Sequence, residues 1–280
     1  MTDVSAAVGS GRAPSTARPG LIDRRELVCA LDHAAEKKVT VISAPAGSGK
    51  TSLLRVWAGR PGQDRRIAFM SVRPGQHDVQ LFWLTVLGAV RDASGADRRA
   101  EPPPTTPGFN GLAMVDQVLT EISAAGDPFV LVIDDLRELN SAQAAEQLTS
   151  LLTSLPSHTH AIVATRRDPP LRLHQLRLAG ELAEIRAAQL RFTEEETRQL
   201  VAAALIALPD HVAAMLHQRS EGWAAGLRLA VFSLAGHPDP EQFVAEFSGS
   251  DRTVAEYLMA TAQRRQFLPA GIGRQGAGDR

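Results

Sequence analysis

One cysteine, Cys29, among 280 residues excludes an internal disulfide framework and a cysteine-based zinc site. By pattern it reads as a small buried residue on a helix. Aromatics are scarce, at 5% of the chain, so the core has to be built from Ala, Leu and Val. That favours helices packed on a sheet over an aromatic-rich sandwich. Neither sign of charge is in excess: 30 basic residues against 31 acidic ones give a net charge of -1. The chain therefore lacks the basic footprint of a nucleic-acid-binding surface, and no direct contact with DNA is expected. No stretch approaches the ~18 uncharged apolar residues that a bilayer span requires. The opening MTDVSAAVGSGRAPSTARPG has no apolar segment of the secretory kind and reads as a disordered lead-in over residues 1–20. The expectation is a cytoplasmic chain with no membrane partner.

What is present is an alternation of two periodicities. Residues 21–36 carry Leu27, Ala30, Leu31 and Ala34 at helical spacing, and VTVISA (39–44) is a β-branched run buried on both faces. RIAFMSV (66–72), DPFVLVIDD (127–135) and THAIVATRR (159–167) repeat the strand pattern. Segments 77–92, 111–126 and 142–155 have helical spacing between them, with Gly126 as a C-cap. EPPPTTPG lies within a loop over 93–110, since three successive prolines cannot occupy a helix interior. Strands and helices at this spacing predict an α/β domain with a mostly parallel sheet, over residues 21–190. From 191 to 262 the pattern is all helical. Thr193 and Glu196 match a capping box, and 210–236 reads as two helices parted near Gly222. The last segment, 263–280, is rich in Gly and Arg and has little to bury.

The chemistry concentrates at APAGSGKT, Ala44 to Thr51. It fits the phosphate-binding pattern [A/G]-x4-G-K-[S/T], placed between a buried strand and an apolar helix. A tight loop there aims backbone N–H groups of Ala46, Gly47, Ser48, Gly49, Lys50, Thr51 and Ser52 at phosphate oxygens. Gly47 and Gly49 permit the turn. A helix starting near Lys50 directs its positive end at the anion. Lys50 supplies a point charge to the β- and γ-phosphates, and the Thr51 hydroxyl is a magnesium ligand. The chain is thus expected to bind ATP or ADP with Mg2+ through a P-loop.

Two further strand ends complete the candidate site. FVLVIDD is an apolar strand ending in acids, the Walker B arrangement: Asp134 is a candidate for magnesium, and Asp135 for orienting or activating water. The bland alternative is a strand followed by an acidic helix cap. THAIVATRRDPPL delivers Arg166 and Arg167 to the C-terminal sheet edge, where open α/β sheets bind ligands. Arg166, nearer the strand, is the candidate that reads the γ-phosphate; a solvated basic pair is the alternative. His158 and His160 read as lying in a loop before a strand, without a third ligand for a metal. Trp57, Trp83 and Trp223 fall on apolar helix faces and read as core. Arg91, Arg98 and Arg99 are interleaved with acids and read as solvated surface.

Together these segments resemble the ATPase module of the STAND class of signalling NTPases, and most closely the large ATP-binding LuxR-type transcription regulators. The matching stretches run in order: LIDRREL, VTVISAPAGSGKTSLLRVWA, AFMSV with HDVQLFWLTVL, FVLVIDDLREL, AIVATRRDPPLRLHQLRLAGEL, LRFTEEET, SEGWAAGLRLAVFSL and FSGSDRTVAEYL. The resemblance implies a P-loop NTPase three-layer sandwich followed by a small helical domain that closes over the nucleotide. It implies that Ile22 and Arg24 contact the base, and that EGWAAGL stands near the adenine. It also implies a closed ADP state and an ATP state that self-associates, reset by slow hydrolysis. Ala44 departs from the family's strict first glycine. The family continues into sensor and helix-turn-helix domains, whereas RRQFLPAGIGRQGAGDR does not read like its next helix, so a truncated chain is expected. Two other readings stay open: a stand-alone P-loop ATPase of motor or kinase type, and a relic that only binds nucleotide. The lack of an arginine-rich lid argues against a kinase.

Overall fold

A computed structural model describes residues 22, 24–62, 64–72, 78–95, 109–136, 142–235 and 237–247. The proposed terminal tails, the proline-rich centre of the 93–110 loop, Arg98, Arg99 and the TVAEYL segment lie outside the described residues.

Five strands form one sheet: β1 (Val39–Ser43), β2 (Arg66–Ser71), β3 (Phe129–Asp134), β4 (Thr159–Thr165) and β5 (Leu182–Arg186). Their order is β2-β3-β4-β1-β5 and every pairing is parallel. Parallel neighbours need crossover helices, and these cover both faces, which is why the central strands are apolar throughout. Odd and even strand residues go to different cores. Val39, Val41, Leu131, Ile133, Ala161 and Val163 pack under α3 (Val79–Ser94), α4 (Gly111–Ala125) and α5 (Ala142–Thr153). Ile42, Val130, Val132, Ile162 and Ala164 pack under α1 (Arg25–Ala34) and α2 (Lys50–Ala58). The result is the α/β three-layer sandwich.

Two tryptophans anchor the layers. Trp57 and Trp83 are fully buried, and each finds a partner for its indole N–H: Trp57 donates to Asp32 Oδ1 at 2.7 Å, Trp83 to Gln147 Oε1 at 2.9 Å. Gln147 on α5 in turn fills the space above Gly111, where an added Cβ would lie 2.1 Å from its amide nitrogen. One buried amide thus joins α3, α4 and α5. Arg91 is not a freely solvated surface group: it is mostly buried and pairs with Glu121 at 2.9 Å, tying α3 to α4.

After two short helices, α6 (His174–Leu178) and α7 (Ala187–Leu190), the chain becomes helical: α8 (Glu194–Ala203), α9 (Asp210–Ser220), α10 (Ala224–Leu234) and α11 (Pro240–Glu246). Leu200, Val212, Leu216, Leu227, Ala230 and Val244 make a separate core there. The Thr193–Glu196 capping box starts α8, each side chain meeting the other's backbone N–H. α8 ends earlier than its apolar run, because Leu205 turns into the left-handed region at φ 60° ahead of Pro209.

Several side-chain expectations are corrected. Cys29 is exposed on α1 rather than buried, because Val28 and Leu31 occupy the inward face. His160 lies inside β4 and is buried, not in a loop. Trp223 caps α10 from outside the helix and is only half-buried, against the loop before α2. Strand β5, LAEIR, escaped the sequence reading because it is an edge strand with mostly half-exposed residues and two charges.

Candidate nucleotide site

β1 ends at Ser43 and α2 begins at Lys50, so the loop between them crowns the C-terminal edge of the sheet. Gly47 and Gly49 take φ of 75° and 85°, a region that side chains resist, and Gly49 is the N-cap of α2. The Ser48 hydroxyl donates to the carbonyl of Pro45 at 2.9 Å and closes the turn. Lys50 is buried, and its ammonium donates to the carbonyls of Ala44 (2.6 Å) and Pro45 (2.9 Å). Burial lowers its pKa; Asp135 and Asp134 act to raise it and Arg166 to lower it. The cation is thus held by two neutral oxygens of its own loop.

β3 brings the acidic pair alongside. Asp134 is almost completely buried and its Oδ1 has no hydrogen-bond partner. Ser71, opposite it on β2, lies 3.4 Å from Oδ2. Burial pushes the Asp134 carboxyl above the usual range, with the neighbouring Thr51 hydroxyl pulling it down and Asp135 adding to the rise. An orphaned carboxylate oxygen beside a threonine hydroxyl and a phosphate-type loop suits a hard divalent cation. Asp135 leaves the strand with φ 58°, a conformation uncommon for a non-glycine residue. Its Oδ1 faces Arg166 Nε at 3.6 Å. The two residues singled out for chemistry therefore meet each other across the ends of β3 and β4. The Thr165 hydroxyl, buried at the end of β4, lies 2.9 Å from the carbonyl of Leu136 and 2.8 Å from that of Arg167, locking both loops.

The helical part reaches the same loop. The N–H of Ala225 donates to the carbonyl of Gly47 at 3.0 Å. A Cβ on Gly47 would lie 2.6 Å from Ala225 Cβ and 3.1 Å from the Trp223 ring. Gly47 thus meets two demands, a positive φ and close contact with the start of α10. Nothing in local composition announces this contact, although EGWAAGL was among the family-like segments.

Arg24 works at the junction between the two parts. Its Nε and Nη2 pair with the two carboxylate oxygens of Glu196, both at 3.0 Å. It also donates to the carbonyls of Leu190 (2.9 Å) and Arg191 (2.6 Å), and its guanidinium lies 4.4 Å over the Phe192 ring. Ile22 is half-buried against the helical core. Glu196 therefore caps α8 and binds Arg24 at once.

Known proteins resemble this chain over most of its length. Residues 23–164, just over half the chain, match the AAA ATPase domain family. The serine/threonine-protein kinase PknK of Mycobacterium tuberculosis is 28% identical over 249 residues, covering 88% of this chain and 22% of that protein. The HTH-type transcriptional regulator MalT of Serratia proteamaculans is also 28% identical, over 88% of this chain and 28% of its own length. The chain thus spans about a quarter of the length of these relatives. Among solved structures, a STAND protein (signal transduction ATPase with numerous domains) with a tetratricopeptide repeat sensor from Pyrococcus horikoshii aligns with a TM-score of 0.54 at 18% identity, covering 86% of this chain and 32% of that one. A Walker-type ATPase of Pyrococcus abyssi aligns at 0.57 and 15%, covering 90% and 77%. These two likenesses concern the fold. With a phosphate-type loop after β1, an acid-tipped strand β3 in the same sheet and a family match over residues 23–164 that includes both, the chain belongs to the AAA ATPase domain family.

Proposed function

We propose that this chain is a nucleotide-dependent switch module that binds ATP or ADP with Mg2+ and hydrolyses ATP slowly. Residues 46–52 would hold the phosphates and Lys50 their charge, with Ile22 and Arg24 at the base end. Thr51 and Asp134 would hold Mg2+, which supplies positive charge against the phosphate oxygens. Asp135 would orient water and Arg166 would sense the γ-phosphate.

The observation that carries the switch reading is the bond from Ala225 N–H to Gly47 O. A change in the phosphate loop on binding γ-phosphate is felt directly at the start of α10, so occupancy and helical-domain position are coupled. The resting pair between Asp135 and Arg166 supports slow turnover, because the carboxylate has to leave the arginine before it can serve water. Similarity to MalT supports a role in a LuxR-type transcription regulator, with self-association in the ATP state. Among the described residues no helix is long and apolar enough to cross a membrane.

The test is to purify the chain, denature it and identify the released nucleotide by chromatography. Released ADP is expected of a resting switch. An empty protein that also fails to bind added ATP would overturn the reading, and rapid hydrolysis by the chain alone would favour the stand-alone ATPase.

A further inference from the structure

Thr165, the last residue of β4, touches three loops at the nucleotide edge of the sheet. Its hydroxyl lies 2.9 Å from the carbonyl of Leu136 and 2.8 Å from that of Arg167, and its own carbonyl accepts from the N–H of Ala44 at 3.2 Å. Ala44 opens the phosphate loop, Leu136 follows Asp135, and Arg167 follows Arg166. Thr165 is only 3% exposed, so bulk water does not compete for its hydroxyl.

A threonine hydroxyl has one proton, and a carbonyl only accepts. Two carbonyls within 2.9 Å therefore compete for a single donor, sharing it or holding it in turn. The loops that carry these carbonyls carry Asp135 and Arg166 one position upstream. Leu136 is held at both backbone groups, because its N–H donates to the carbonyl of Ala164 at 2.8 Å. Just before it, Asp135 keeps a φ of 58°. A left-handed φ at a non-glycine residue persists where its surroundings over-determine it, and the pinned Leu136 does that. The Asp135 carboxylate then faces Arg166 at 3.6 Å.

We propose that Thr165 is a positioning residue for γ-phosphate sensing: its one hydroxyl proton sets the spacing between the Asp135 and Arg166 loops, and its carbonyl ties both to the phosphate loop through Ala44. This role rests on the reading of Arg166 as the γ-phosphate sensor. When Arg166 swings to a phosphate and carries the Arg167 carbonyl away, the proton passes wholly to Leu136, and the Asp135 loop stays in place. Thr165 acts through its neighbours and touches no phosphate.

The experiment measures binding of ADP and of a non-hydrolysable ATP analogue, each with Mg2+, to the full chain by titration calorimetry. Thr165→Val keeps the branched shape and removes the hydroxyl. It should weaken the ATP analogue roughly three- to tenfold, the range of one lost hydrogen bond, and ADP by less than about twofold. Thr165→Ser keeps the hydroxyl and should restore the parent ratio. Added to Arg166→Ala, Thr165→Val should weaken the analogue by less than about twofold more, since both act through one arginine. A merely structural threonine would leave the ratio of the two affinities unmoved. Equal losses for both nucleotides, a Thr165→Ser ratio as low as that of Thr165→Val, or full additivity with Arg166→Ala would each overturn the role. If Thr165→Val does not fold, Thr165→Ala against Thr165→Ser makes the same comparison. Arg166→Ala alone separates the two levels. If it discriminates ATP from ADP as the parent chain does, the γ-phosphate reading falls and the Thr165 role with it. If it loses discrimination while Thr165→Val keeps it, only the Thr165 role falls.

Discussion

Replacing Asp134 by Asn should make the nucleotide-free protein more stable while impairing its use of magnesium. Asp134 is buried with one carboxylate oxygen unpaired, and the adjacent Asp135 repels its charge. A buried unsatisfied group costs about 1–3 kcal/mol, more when charged. Asn removes the charge while keeping size and one acceptor, so a gain of about 1–2 kcal/mol is expected, or roughly 2–6 °C in Tm for a chain of this size. The sign follows from linkage. A carboxyl whose folded pKa is raised holds a proton that the unfolded chain has already released, so ionising it weakens the fold as pH rises through the raised value. The gain from Asp134→Asn should therefore be larger at pH 7 than in acid and vanish below the ordinary carboxylate range, where the group is neutral in both the folded and unfolded states. Thermal melts without nucleotide at pH 7 and in acid read this directly. The same variant should show a weaker dependence of ATP binding on magnesium. A lower Tm at pH 7 without ligand, or an unaltered magnesium titration, would refute the reasoning.

Other positions give sharper geometric tests. Gly47→Ala puts a Cβ into the left-handed region and against Ala225, and should cost roughly 2–3 kcal/mol through backbone strain and the lost Ala225–Gly47 bond, read by melting and by a loss of nucleotide affinity. Normal affinity and stability would mean the α10 contact is incidental. Arg166→Ala should weaken ATP about tenfold and ADP by less than about twofold; equal losses would return Arg166 to the surface. Arg24→Ala removes a mostly buried bidentate pair with Glu196 and two carbonyl contacts, and should cost about 2–3 kcal/mol, seen as faster hydrogen exchange across α8–α11 with β3 and β4 unaffected. Uniform loss of protection would contradict a junction role.

How much of this was legible in the chain depends on where its signals reside. β1, β3 and β4 were readable because strands covered on both faces need continuous apolar runs, and Ala44–Thr51 because a phosphate turn has few sequence solutions. The Thr193–Glu196 box was readable because its partners are three residues apart. β5 was not, since an edge strand buries little and LAEIR tolerates Glu184 and Arg186. The Arg24–Glu196 pair spans 172 residues and the Gly47–Ala225 contact joins two separate cores, so neither leaves a local trace.

The most direct test of the central claim is ATP affinity with Lys50 removed. Among the described residues the Lys50 ammonium donates to the carbonyls of Ala44 and Pro45 and sits in no ion pair, so it can turn to phosphates without breaking one. Lys50→Ala, measured by titration with ATP and Mg2+, should lower affinity by at least about 100-fold and abolish binding at micromolar concentrations, with an unchanged circular dichroism spectrum. An intact fold that binds ATP as tightly as the parent chain would contradict the assignment of this loop as the nucleotide site.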